Sequence, residues 1–349
     1  MTQNGKKKYF YNIDLLRMVS MFLIVLTHVL GKGGLRDAVE GKEDAYFVIV
    51  WTMQILAYVA VNCYGLISGY IGLDSKTKLS KIVFLWLQVV FYTVLITASF
   101  FLAGFPLDSQ DWLGAIFPVV TSQYWYVTAY FGLLIFKPLL DQGLRSLSDK
   151  QLLHLLVGFY LVFSLAPAIF NNKVLEYSLS KGFGMTWLII LYVFGAYLRR
   201  LDLEKIKTSF LLALYLFSSL VTFLGMRWIG DIWFWYPSPS ILLASLAIFV
   251  LFAKWQVSGQ GWLGATIAFF APASLGVYLV HLHPLIEHYL IVDQFIFLLG
   301  LEEWLLPPAL LLVSLLIYLL SSLVEKCRLY LFKKAHLREK LSFLDQYLE

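Results

Sequence analysis

Charge is scarce in this sequence: Asp, Glu, Lys and Arg together make up only 14% of its 349 residues. An ordinary soluble domain carries about a quarter, so that class is excluded. Cysteine is nearly absent. Cys63 lies inside an apolar stretch and Cys327 just beyond the last one, which rules out a disulfide framework and a cysteine-based zinc site. There is no phosphate-cradling glycine loop, serine nucleophile elbow, zinc-ligand pair or kinase signature. Internal repeats and Gly/Ser linkers are missing as well. Any chemistry must come from scattered groups within the apolar stretches.

What fills the chain is hydrocarbon: 60% of residues are hydrophobic and the mean hydropathy is +0.75. Ten apolar stretches are long enough to span a bilayer, near residues 12–30, 46–72, 80–104, 124–142, 150–170, 185–200, 208–228, 239–256, 263–283 and 303–325. The sequence predicts an all-α, polytopic membrane protein with about ten transmembrane helices. It divides into an integral membrane domain, 1–325, and a basic amphipathic cytoplasmic tail, 326–349. No small-residue cleavage site follows the first stretch, which runs through His28 into Gly31 and Lys32 and stays as a helix.

Alternate loops are unequal in positive charge. One set, with Lys6–Lys8, Lys76, Lys78, Lys81, Lys137 and the tail cations, holds twenty of the 27 Lys and Arg residues; the other set, with Lys32, Arg36, Lys42, Lys173, Lys181 and Arg227, holds six. The positive-inside rule puts the basic set, and both termini, in the cytoplasm. Basic loops beside anionic lipids account for the excess charge without a nucleic-acid partner.

The remaining cation, Arg17, lies within the first span together with His28. An ionisable group in hydrocarbon costs about 3 kcal/mol on insertion scales and usually marks a cavity. Eleven residues separate the pair, so at about 100° and 1.5 Å per residue they share one helix face with a rise of roughly 16 Å. Arg17 follows Asp14 by three positions, a spacing that pairs them on one helix. With Lys76 and Lys78 it can form a cationic mouth for a phosphorylated ligand whose flexible arm reaches His28. His28 and His281 both fall near the outer surface and can converge from different helices. Histidine can take and return a proton near neutral pH, although an interhelical hydrogen bond explains a buried histidine equally well.

His281, His283 and His288 lie close to Glu287, but the spacing of two between the first pair splits them across a helix and Pro284 breaks that helix directly after them; no metal is expected. The run from Asn62 to Tyr70 holds Gly65, Ser68 and Gly69, a pattern suited to close helix packing. Tyr124 and Trp125 open the fourth span and Trp233–Tyr236 precede the eighth. Aromatic residues at that depth form an interfacial belt or a stacking surface for a sugar ring. Residues 284–302, acidic and aromatic, suit an interfacial or re-entrant piece.

Several of these residues resemble a known family, the acyltransferase 3 group of bacterial membrane acyltransferases. Ile13–Arg17 followed by ten residues and His28 is similar to the family's arginine–histidine signature in its first helix. Ser68-Gly69-Tyr70, Trp125 and Ser274–His281 are similar to later motifs. Many members carry an Arg-x-Arg motif after the second helix, where this chain has Lys76-Thr77-Lys78, keeping the charge without the bidentate fork. The resemblance implies a catalytic role for His28 and a donor-related role for Arg17. The residues themselves add Asp14, which would hold Arg17 at the catalytic helix, Lys76, Lys78 and Ser68 as expected donor-binding partners of Arg17, and His281, Trp125, Tyr124 and Glu287 as expected acceptor-binding residues. The expected activity is O-acyl transfer, most simply of acetyl from acetyl-CoA as co-substrate with no bound cofactor, to a hydroxyl of a cell-envelope polysaccharide or its lipid-linked precursor. The setting would be the bacterial cytoplasmic membrane. Direct transfer and a transient acyl-histidine both stay open. The alternatives are a multi-pass transporter or flippase of an envelope glycan or organic anion, and a membrane scaffold; transporters often show inverted repeats and broken helices, neither evident here.

Overall fold

The computed structural model describes residues 9–73, 75–171 and 179–347. Lys6, Lys7, Lys8 and Lys173 of the charge count, and the last two residues of the tail, lie outside them. The described residues are helical, with no strand among them. Helices occupy all ten expected stretches: α1 (Tyr11–Leu30), α2 (Ala45–Gly72, interrupted at Val59), α3 (Leu79–Leu102), α4 (Trp125–Ser146), α5 (Asp149–Phe170), α6 (Met185–Leu198), α7 (Thr208–Trp228), α8 (Pro239–Lys254), α9 (Gly261–His281) and α10 (Leu306–Lys334).

Eight of these are long and apolar enough to cross a membrane. The other two depart for physical reasons. α4 is long, but Lys137, Asp141 and Arg145 interrupt its apolar character. α6 has 14 residues, about 21 Å at 1.5 Å each, short of a hydrocarbon core of about 30 Å. Ten of its 14 residues are buried among other helices, so it is surrounded mostly by protein.

The most intimate helix pair is α2 with α6. A Cβ at Gly69 would overlap the Tyr192 carbonyl, and one at Gly195 would overlap the Leu66 carbonyl; only hydrogen lets the backbones approach so closely. α1 runs through the interior, packed against both halves of α2 and against α8, α9 and α10. α5, α7 and α10 are peripheral and turn leucines and phenylalanines such as Phe217, Leu312 and Leu320 outward, the surface a bilayer would cover.

α10 continues unbroken past the expected boundary at residue 325 to Lys334. The chain then turns at His336 and folds back beneath α3. There the Asp345 carboxylate accepts hydrogen bonds from Lys78 Nζ (2.8 Å) and Ser80 N (3.0 Å). Residues 284–302 form short irregular turns that return to the end of α1, where Asp293 N and Phe295 N donate to the carbonyls of Lys32 and Gly33 (3.1 Å each).

Candidate active site

Two cavities enter the bundle from opposite ends. The larger, about 550 Å³, opens at the end where α1 begins and the α2–α3 loop lies; Arg17, Ser68, Lys76 and Lys78 all line it. The smaller, about 330 Å³, holds His28, Tyr124, Trp125 and Glu287. Tyr64, Tyr126 and Leu275 line both and therefore stand between them. Arg17 and His28, which the helical period places on one face of α1, thus look into different cavities that abut.

The larger cavity is strongly cationic. Arg17, Lys76, Lys78, Lys81, Lys137, Arg328 and Arg338 line it, and no carboxylate does among the described residues. Asp14 pairs with Arg17 one turn away, as the spacing predicts, and the Tyr64 hydroxyl donates to the Arg17 carbonyl (2.8 Å). The loop bearing Lys76 and Lys78 is held by α4: Lys137 Nζ donates to the Ser75 carbonyl (2.8 Å) and Arg145 Nη2 to that of Leu73 (2.6 Å). Lys137 is itself buried, paired with Asp141 (2.5 Å), which also accepts from the Tyr192 hydroxyl (2.5 Å). Lys137, read from sequence as a loop cation, is therefore part of the cavity wall. Within Gly65–Gly69, the glycines face α6 while Ser68 faces the cavity.

At the other end His28 and His281 meet, with His28 Nδ1 3.0 Å from His281 Nε2. His281 is buried, and its Nδ1 lies 2.5 Å from the Val277 carbonyl oxygen. A carbonyl can only accept, so His281 carries its proton on Nδ1 and its Nε2 is bare. His28 must then donate from Nδ1, leaving its own Nε2 as the free lone pair of the neutral pair. One backbone carbonyl thus sets the tautomer of both rings. His28 is half-buried and lines the cavity, the position a proton acceptor for an incoming hydroxyl requires.

The other named residues divide. Trp125 lines the smaller cavity beside Tyr236, which stacks on Tyr58 at 4.3 Å and 7°. Asn62 fixes this aromatic wall by donating to the Tyr236 carbonyl (3.0 Å) while accepting from Trp187 Nε1 (2.9 Å). The Tyr124 hydroxyl is committed to the Leu279 carbonyl (2.7 Å), so it braces α9 near His281. Glu287 lines the cavity paired with Lys32. Gln54, which carries no motif in the sequence, lines it too and leaves its buried Oε1 without a partner. His283 turns away, its Nδ1 accepting from Leu285 N (3.2 Å), and His288 is exposed. No group of three or more His, Cys, Asp or Glu is placed to hold a metal among the described residues.

Compared with known proteins, the chain matches the model of the acyltransferase 3 family, described as an acyltransferase domain, over residues 10–325. No curated protein and no solved structure matches the chain.

Proposed function

We propose, from the fact that the chain belongs to the acyltransferase 3 family and is a membrane acyltransferase, a transfer in which donor and acceptor approach from opposite faces of the bilayer. The donor is acyl-CoA, most simply acetyl-CoA, arriving from the cytoplasm. The acceptor is a hydroxyl of an extracytoplasmic cell-envelope glycan or its lipid-linked precursor. The membrane is the bacterial cytoplasmic membrane, with the basic end of the bundle facing inward.

A single observation carries this reading: a cation-lined cavity and a histidine-bearing cavity abut within the bundle. Phosphates of the donor sit among Arg17, Lys76 and Lys78. The pantetheine arm passes between Tyr64 and Tyr126 and brings the thioester to His28. The acceptor sugar lies against Trp125 and Tyr236, whose faces cover its apolar CH groups. His28 Nε2 takes the proton of the attacking hydroxyl as the oxygen bonds to the thioester carbonyl. The tetrahedral intermediate collapses, the carbon–sulfur bond breaks, and the CoA thiolate leaves with the proton that His28 returns. His281 holds His28 in its tautomer and spreads the charge of the transient imidazolium.

The test is free-thiol release from acetyl-CoA by the purified protein in nanodiscs, with CoA binding measured in the same samples. His28→Ala should lower release by about 10²–10⁴-fold, and Arg17→Ala should raise KM. Wild-type protein that neither binds CoA nor releases thiol refutes the reading.

A further inference from the structure

We propose that Arg328, with Arg338 beside it, binds a phosphate of the donor in the larger cavity; this rests on the acyl-CoA reading and extends it to residues no motif marks. Arg328 is 2% exposed and lines the cavity. Its guanidinium is only partly used: Nε and Nη2 donate to the two oxygens of Glu325 at 2.8 and 2.5 Å, whereas Nη1 is buried and has no hydrogen-bond partner.

Glu325 cannot supply what is missing. Its carboxylate, fully buried, also accepts from the Tyr92 hydroxyl (2.5 Å) and Gln88 Nε2 (3.3 Å), and a side-on fork through Nε and Nη2 turns Nη1 to the opposite edge. A charged donor buried and unpaired forfeits its whole solvation, so a site of this kind is completed by an oxygen from elsewhere.

Arg338 gives an independent reason to expect an anion. Its guanidinium carbon lies 4.7 Å from the Phe84 ring centre, and that of Arg328 lies 5.9 Å from the same ring and 4.6 Å from Phe332. Two guanidinium groups converge on one phenyl ring, yet no carboxylate pairs with Arg338 among the described residues. Glu325 balances the charge of Arg328, so the exposed Arg338 brings to the cavity lining a cation that no carboxylate among the described residues balances. Arginine's planar fork suits phosphate better than a lysine point charge, which offsets the lysines standing at 76 and 78. Because Arg338 belongs to the segment clasped by Asp345 on Lys78 and Ser80, the folded-back C-terminal segment is part of this binding site.

The test uses the full chain in nanodiscs and measures affinity for coenzyme A and for 3′-dephospho-coenzyme A across a salt series. Arg338→Gln changes an exposed residue. The double variant Glu325→Gln/Arg328→Gln removes both charges of the buried pair, leaving no lone ion inside. Each should weaken coenzyme A by about tenfold, the scale of one charge-assisted hydrogen bond. Arg338→Gln should also flatten the salt dependence, a change that mere loosening of the fold would not produce. If the loss vanishes with the dephospho ligand, the 3′-phosphate is the group bound; if it persists, the diphosphate is. Unchanged affinity and salt slope in Arg338→Gln overturns the proposal while leaving the acyl-CoA reading intact, and a wild-type protein that does not bind coenzyme A overturns both.

Discussion

Replacing Glu325 alone with alanine should be among the most damaging single changes in the protein. The substitution strips Arg328 of both its charged hydrogen bonds and leaves the Tyr92 hydroxyl and Gln88 amide facing a void. Breaking a buried pair by removing one partner costs about 3–5 kcal/mol. With an unfolding entropy of about 2.1 cal/mol/K per residue, the 349-residue chain has a slope of roughly 0.7 kcal/mol per degree, so the expected fall in melting temperature is about 4–7 °C. The decisive comparison is a double-mutant cycle followed by thermal unfolding in detergent. Glu325→Leu combined with Arg328→Met replaces both ions with apolar groups of similar size and should be more stable than either single variant, since such replacements are often neutral. If the two single losses simply add, the pair is not coupled and the account of this buried site is wrong.

His281→Phe keeps an aromatic ring, slightly larger, but removes the acceptor for His28 Nδ1, so both His28 tautomers become available. We expect kcat for acyl transfer to fall by about 10²-fold with KM for acyl-CoA little changed, and equal turnover in variant and wild type would exclude the orienting role. Gly69→Ala and Gly195→Ala must push α2 from α6 because the added carbon meets a backbone carbonyl. Overpacking of this kind costs about 1–3 kcal/mol or more, to be read as loss of monodisperse protein and a lower melting temperature; wild-type behaviour in both would refute the close approach. Asp345 has its carboxyl held down at about 2, first by the hydrogen bond from Lys78 and then by that from Ser80. A depressed carboxyl contributes its share of docking above its unfolded value, about 3.9, and loses it as pH falls toward 2. Hydrogen-exchange protection of residues 337–347 should therefore be flat from pH 5 to 8 and weaken below about 4; a midpoint near neutrality would point to another group.

The length of the apolar runs located all ten helices because lipid-facing and interior surfaces are both apolar. The α1 pairing of Arg17 with His28 was legible because a helix repeats its direction predictably, and His281 followed from its depth in the chain. Other features depended on burial, which a one-dimensional charge pattern does not encode. Glu325 and Arg328 repeat the same i, i+3 spacing as Asp14 and Arg17, yet one pair is almost wholly buried while the Arg17 side chain is about a third exposed, although both arginines line the larger cavity. Lys137 and Arg338 read as loop and tail cations, since nothing in their neighbours reveals that α4 buries the one and that the returning tail brings the other, still exposed, to the cavity lining. Gln54 lay unnoticed within an apolar run. Asn62, by contrast, stood out there, although its task of bracing the aromatic wall needed α6 and the turn before α8 to become visible.

Tyr64, Tyr126 and Leu275 are more than a boundary between two cavities. A membrane under voltage is an insulator, and each elementary charge that slips through releases about 2.3 kcal/mol per 100 mV. An enzyme hollowed from both ends would short-circuit that gradient unless the waist stayed shut to ions. There the rings of Tyr64 and Tyr126 pack edge to face, centred 6.3 Å apart, and no charged side chain lines both cavities. On the proposed transfer, the residues between the two cavities would carry an electrical duty as well as a chemical one.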